Sequence, residues 1–138
     1  MATTVAEIMA RNPQTVQADA PVREAAGLMR DADSGDVVVL EGGRLVGILT
    51  DRDIAVRVVA EGGSADTPVR DACTTDPTTV TPDTRIEQAV ELMRDRAIRR
   101  LPVVEGDRPV GVVSLGDLAI ERDEDSALAD ISAAAENN

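Results

Sequence analysis

The sequence predicts an α/β (α+β) fold built from two tandem β-α-β-β-α repeats that share a core. Two observations carry this expectation. Sliding the chain against itself by 64 residues aligns Val5–Ala55 with Val69–Ala119 without a gap, with about 18 of 51 positions identical. Each copy also shows one helix-period stretch followed by two β-branched runs split by glycine. A single ~60-residue repeat buries little surface by itself, so the duplication implies that the two pack sheet against sheet.

Within each copy the elements follow in order. A short extended piece comes after a proline, Thr15-Val16 and Thr79-Val80. Next is a helix with apolar residues at i, i+3, i+4 and i+7: Val22, Ala25, Ala26 and Met29, then Ile86, Ala89, Val90 and Met93. Pro21 suits the first turn of the first helix, and Thr81-Pro82-Asp83-Thr84 offers capping side chains to the second. Val37–Leu40 and Leu45–Leu49 flank Glu41-Gly42-Gly43-Arg44, and Leu101–Val104 and Val110–Val113 flank a turn at Gly106; each pair reads as a hairpin. A further helix is expected at about Asp51–Ala60, stopped by Gly62-Gly63, and at about Leu115–Arg122. The expected division is residues 1–63 for the first repeat, 64–68 for the end of the linker, 69–123 for the second repeat, and 124–138 for an acidic, alanine-rich tail. In that tail Ala127–Ala135 could form a short helix and the last three residues fray.

Composition excludes whole classes of function. The 138 residues include no Phe, Tyr or Trp, no His and no Lys; 14 Arg face 26 Asp plus Glu, for a net charge of -12. Without aromatic rings there is no stacking platform for single strands, and this charge repels a phosphate backbone, so nucleic acid is not an expected partner. No His and one Cys leave neither a Cys/His zinc site nor a Ser-His or Cys-His nucleophile pair. An Asp/Glu-only Mg or Ca site and carboxylate-only catalysis stay open on composition, but no motif for either occurs, so no enzyme and no metal site are expected. No apolar run reaches the ~20 residues of a membrane span and the N-terminus lacks a signal-peptide pattern, so the expected location is cytoplasmic. High Asp with no Lys fits a GC-rich genome or a salt-adapted proteome.

The chemistry-bearing positions lie at the two hairpin-to-helix junctions, Gly47-Ile48-Leu49-Thr50-Asp51-Arg52-Asp53 and Gly111-Val112-Val113-Ser114-Leu115-Gly116-Asp117. In both, a glycine opens an apolar strand, a hydroxyl ends it, and an Asp follows three residues later. A hydroxyl at a helix start sits among unpaired N–H groups that attract phosphate. An Asp one turn in can accept from two adjacent ribose hydroxyls. The same spacing is also a helix-capping box that needs no ligand, although such boxes favour Glu or Gln over Asp at the third position. Both readings stand on spacing alone.

Over residues 5–122 the chain resembles a tandem pair of CBS domains, a Bateman module, and above all small stand-alone bacterial proteins of that kind, including stress-induced ones. The resemblance is carried by Gly-h-h-Thr/Ser-x-x-Asp in both copies, by Arg99-Arg100-Leu101-Pro102-Val103-Val104, and by Leu45 to Ile54. It implies a pseudo-two-fold pair of repeats acting as a non-enzymatic sensor of cellular energy. The ligand it implies is an adenine nucleotide (AMP, ADP, ATP or S-adenosylmethionine), with no further cofactor required. Asp53 and Asp117 would take the ribose hydroxyls, and Thr50 and Ser114 would lie near ribose or phosphate. Thr15, Val16 and Val38 would flank the base at the first site, as would Thr79, Val80, Leu101 and Pro102 at the second. The first repeat departs from the pattern: Asp36-Val37-Val38 stands where the second has Arg100-Leu101-Pro102. The family also implies a homodimer formed through helices, with an unidentified protein partner downstream.

Arg94, Arg96, Arg99 and Arg100 cluster within seven positions, and Arg52 lies inside the first motif. Guanidinium groups pair bidentately with phosphate, which makes Arg52 and Arg100 the candidate phosphate ligands; a solvated helix end or a dimer contact is the alternative. Cys73 aligns with Met9 at an apolar position and reads as a small buried hydrophobe. If adenine binds, aliphatic walls such as Val80 and Pro102 must hold it. The acidic balance favours AMP over more highly charged nucleotides. A ligand-independent dimerisation or interaction module, with both motifs acting only as caps, is the competing expectation.

Overall fold

The computed structural model describes residues 2–122, so the expected tail helix at Ala127–Ala135 and the acidic run beyond Arg122 lie outside the described residues. The chain divides into two compact units. They do not follow the order of the repeats, because each repeat packs with the other repeat's lead-in.

The second unit comprises residues 12–77 with 106–109. Its sheet orders β2 (Thr15–Gln17), β3 (Asp36–Glu41), β4 (Arg44–Thr50) and β5 (Thr74–Thr75). β2 runs parallel to β3 and the other neighbours are antiparallel. The β3–β4 hairpin turns on Gly42 and Gly43, with φ of 60° and 79°, the double left-handed turn that matches strand twist. The register slips once, with Val39 opposite Gly47 but Leu40 opposite Leu45. The bulged Val46 therefore has a carbonyl to spare, and Asp76 N–H donates to it at 3.3 Å. The helix α1 (Val22–Ala32) lays Val22, Ala25 and Met29 on the sheet, in a core with Val16, Val37, Val39, Leu49, Val58, Val69 and Cys73. Pro21 stands at its N-cap rather than in its first turn. The Gly106–Pro109 turn groups here, with Asp107 O accepting from Leu45 N–H at 2.9 Å.

Among the described residues the first unit comprises 2–11, 78–105 and 110–122. Its sheet orders β1 (Ala10–Arg11), β7 (Arg108–Ser114) and β6 (Arg100–Glu105). Of the expected strand Thr79-Val80, a single parallel bridge from Val80 to Val103 forms. The helices α4 (Ile86–Arg96) and α5 (Leu115–Arg122) cover the sheet. The core gathers Val5, Met9, Val80, Ile86, Met93, Leu101, Val103, Val113 and Leu118. Thr81–Thr84 does not cap α4 but closes a turn on itself. Arg85 occupies the N-cap, and its N–H donates to Gln88 Oε1 at 3.1 Å. Both α1 and α4 end on a left-handed residue, Asp33 and Ala97, with Ser34 and Ile98 N–H returning to Met29 and Met93 carbonyls.

The lead-ins dock by equivalent bonds. Val69 and Arg70 N–H donate to the carbonyls of Ala20 and Ala18; 64 residues apart, Val5 and Ala6 donate to Thr84 and Pro82. Val22 donates to Thr67 O as Ile86 donates to Thr3 O. The helix α3 (Val69–Ala72) and β5 thus complete the unit of the first repeat, while the turn Val5–Glu7 and β1 complete that of the second. Asn12 and Asp76, both at positive φ, turn the chain out of these edge strands.

After β4 the structure departs from the expected single α-helix. A short α turn, α2 (Asp51–Asp53), passes into a π-helix, Ile54–Val59, with Ala60 N–H bonding back to Ala55 O. Four of those six residues are β-branched and fit α-helical spacing poorly. Gly63 N–H donates to Val58 O and Gly62, at φ 77°, ends the segment as expected. No helix among the described residues is long and apolar enough to cross a membrane.

Candidate functional site

Each unit gathers one set of the sequence-predicted residues. In the second unit Thr15 lies opposite Val38, Val38 opposite Ile48, and Asp36 opposite Thr50. Asp51 N–H donates to Gly35 O at 3.0 Å, which fixes the helix start beside the head of β3. In the first unit Leu115 N–H makes the equivalent bond to Arg99 O at 2.8 Å. Val80 N–H donates to Pro102 O at 3.1 Å, and Val104 N–H returns to Val80 O at 2.9 Å.

The sheets sort these residues onto two faces. Val16, Val80 and Leu101 point into the helix-side cores, so they offer a ligand backbone alone. An adenine wall at Val80, expected from sequence, is thereby out of reach of its side chain. Val38, one residue from Val37 and Val39, projects from the opposite face, and Thr15, paired with it, shares that face. Pro102 alternates likewise between Leu101 and Val103. Thr79 is half-buried beside Val80.

Both motifs close a reciprocal cap. Asp53 N–H donates to Thr50 Oγ1 at 3.1 Å and Thr50 N–H to Asp53 Oδ2 at 3.0 Å. Asp117 N–H donates to Ser114 Oγ and Ser114 N–H to Asp117 Oδ2, each at 3.1 Å. The shorter Asp side chain therefore completes the box that its length seemed to disfavour. One carboxylate oxygen is fixed and the other is left for a further partner. Arg57 Nε stands 3.8 Å from Asp53 Oδ1. The outer oxygen of Asp117 accepts no hydrogen bond among the described residues.

The motif glycines are explained by the lead-ins. A Cβ on Gly47 would fall 2.7 Å from Thr74 O and 2.9 Å from Cys73 Sγ; one on Gly111 would fall 2.6 Å from Met9 Sδ and 2.9 Å from Ala10 O. The edge strand thus lies directly on the glycine, and only Gly admits it. Cys73 is buried, as expected, and burial pushes its thiol pKa up, away from the reactive thiolate.

The arginines are placed unevenly. Arg52 is exposed, and its backbone N–H donates to Asp51 Oδ1 at 2.8 Å. Arg100 is half-buried at the head of β6, while Arg94, Arg96 and Arg99 are exposed. Arg96 Nη1 donates to Thr78 Oγ1 at 3.3 Å, next to Thr79. Sequence reasoning missed Arg57, whose signal was its place four residues after Asp53 on a helix. No group of three or more His, Cys, Asp or Glu capable of holding a metal ion occurs among the described residues.

The CBS domain family matches the chain twice, over residues 5–60 and 69–124. The chain belongs to the CBS-domain family. Among curated relatives of this tandem CBS pair, the CBS domain-containing protein YhcV of Bacillus subtilis is 40% identical over 119 residues, covering 86% of this chain and 85% of YhcV. A solved protein with CBS domains from Burkholderia ambifaria superposes with a TM-score of 0.82 at 32% identity, over 90% of this chain and 96% of its own. CBSX2, solved in complex with AMP, has a TM-score of 0.74 at 23% identity over 88% of this chain and 96% of its own, a likeness of fold.

Proposed function

We propose that this CBS pair is a non-enzymatic regulatory module that binds an adenine nucleotide at each motif, AMP in preference to ADP, ATP or S-adenosylmethionine. One observation carries the reading: in both copies the cap takes one oxygen of the motif Asp and leaves the other outside the cap, where it can accept a ribose hydroxyl. The AMP of CBSX2 makes that nucleotide the first probe. The net charge of -12 argues in the same direction, since each added phosphate works against the field of the chain. Phosphate affinity then rests on local groups such as Arg52 and Arg100, and is salt-sensitive.

Calorimetry with AMP at low salt tests the reading. Asp117→Asn keeps a cap acceptor while removing the charge, and is expected to weaken binding by about tenfold or more at its site, the range for a hydrogen bond to a charged group. Absence of heat at ~1 mM AMP overturns the proposal. The completed caps favour one other reading, a ligand-independent interaction module. That reading requires a melting temperature indifferent to nucleotide, whereas a ligand bound only by the native state must raise it.

The proposed assembly is a homodimer. Val56 and Val59 on the π-helix are 47% and 69% exposed, apolar surface that a second copy can cover. Light scattering that returns a monomer mass at micromolar concentration counts against it. The proposed setting is the cytoplasm, as a reader of adenylate level under energy stress.

A further inference from the structure

The two motif sites differ at Arg57 as well as at the positions already named. Arg57 spans two groups in its unit: its Nε stands 3.8 Å from Asp53 Oδ1, and its Nη1 donates to Cys73 O at 3.3 Å. Asp53 is the motif carboxylate. Cys73 belongs to the lead-in, between α3 and β5, and its sulfur lies over Gly47 of the same motif strand. One planar guanidinium therefore bridges the second oxygen of Asp53 and the backbone carbonyl that leads into the edge strand. In the sequence, the position 64 residues on is Glu121, an acid that cannot make this span.

We propose that Arg57 is a positioning residue which ties the ligand state of the first motif to the lead-in at the start of the edge strand β5, a tie with no counterpart at the second motif among the described residues. The proposal rests on the nucleotide reading above. Without ligand, the half-exposed Arg57 shares its charge between solvent, Asp53 and the Cys73 carbonyl. A ribose hydroxyl donating to Asp53 Oδ1 fixes that carboxylate and, through it, the guanidinium. The bond to Cys73 O is then held more of the time, and opening of β5 from β4 becomes rarer. The span needs the fork of Arg: a Lys ammonium is a point charge that can neutralise Asp53 without reaching a second acceptor in a fixed direction.

Hydrogen exchange on the full chain, with AMP as the probe and calorimetry on the same samples, tests this. In the wild type, AMP is expected to slow exchange of the amides of residues 73–76 by about threefold to fivefold, the range of one partly exposed ion pair. The equivalent amides of residues 9–12 should slow less. Arg57→Ala and Arg57→Lys should both lose the slowing at 73–76 while calorimetry still registers AMP. Equal slowing in either variant overturns the proposal, as does equal slowing of the two lead-ins. Wild-type binding with no slowing overturns it and leaves the nucleotide reading standing. Silence in calorimetry overturns that reading first, and the coupling with it.

Discussion

Replacing Gly47 with alanine isolates the contact on which the first motif is built. The new methyl would stand 2.7 Å from Thr74 O and 2.9 Å from Cys73 Sγ. A carbon–oxygen contact settles at about 3.3–3.6 Å, so β5 must withdraw by about 0.6–0.9 Å. That movement stretches the bond from Asp76 N–H to Val46 O, already 3.3 Å. Overpacking of this kind costs about 1–3 kcal/mol, and the entropy that Ala removes from the unfolded chain returns about 0.4–1 kcal/mol. The midpoints of these ranges leave a net loss of about 1.3 kcal/mol, or a melting point lower by about 4–5 °C for a chain of this size. At Gly111 two of the three nearest atoms belong to the flexible side chain of Met9, which can turn aside. Gly111→Ala should therefore cost less, and adding Met9→Ala should relieve part of it in a double-mutant cycle. Thermal and urea melts of both variants measure this. A Gly47→Ala protein as stable as wild type, or a larger loss at Gly111 than at Gly47, would refute the reasoning.

Two further outcomes follow from the same structure. Thr50→Ala and Ser114→Ala each remove one hydroxyl from a reciprocal cap and should lower stability by about 1 kcal/mol in urea melts, with Thr50→Ser near wild type. Burial raises the Cys73 thiol pKa in the folded state, so the unfolded chain loses its proton first. Stability is therefore full below the ordinary thiol range, about pH 8.5, and declines as pH climbs from there towards the raised folded value. With no Lys, Tyr or His in the chain, only the amino terminus titrates nearby, and a stability curve equally steep in Cys73→Ala would exclude the assignment.

Local pattern was enough for most elements. In α1 and α4 the i, i+3 and i+7 positions, Val22, Ala25, Met29, Ile86, Ala89 and Met93, are buried as the spacing predicts, whereas at i+4 Ala26 is exposed and Val90 half-buried at the edge of that face. The Gly42-Gly43 turn needs positive φ at both positions, a demand visible in residue type. Elements that depend on distant partners were less legible. The strand at Val80 shrinks to one bridge because its partner strand decides how much of it pairs. The π-helix replaces an α-helix because β-branched residues must be fitted between a capped start and a glycine stop. At the motifs, spacing alone left cap and ligand site as alternatives. The structure shows the cap made, with one oxygen of each Asp left outside it.

Duplication, aliphatic core and the pair of Gly-h-h-Thr/Ser-x-x-Asp motifs belong to the sequence by itself, because repeat identity and side-chain period are local properties. Which lead-in lies on which repeat was decided only in three dimensions. Residues 2–11 close the unit of the second repeat and residues 64–77 that of the first. The two lead-ins carry similar apolar residues, Val5 and Met9 against Val69 and Cys73, and the pattern fits either partner. The choice rests on backbone hydrogen bonds and on the bare faces of Gly47 and Gly111, contacts between segments far apart in the chain. Arg57 belongs to the same class: its charge is written in the sequence, and its span from Asp53 to the Cys73 carbonyl exists only in the fold.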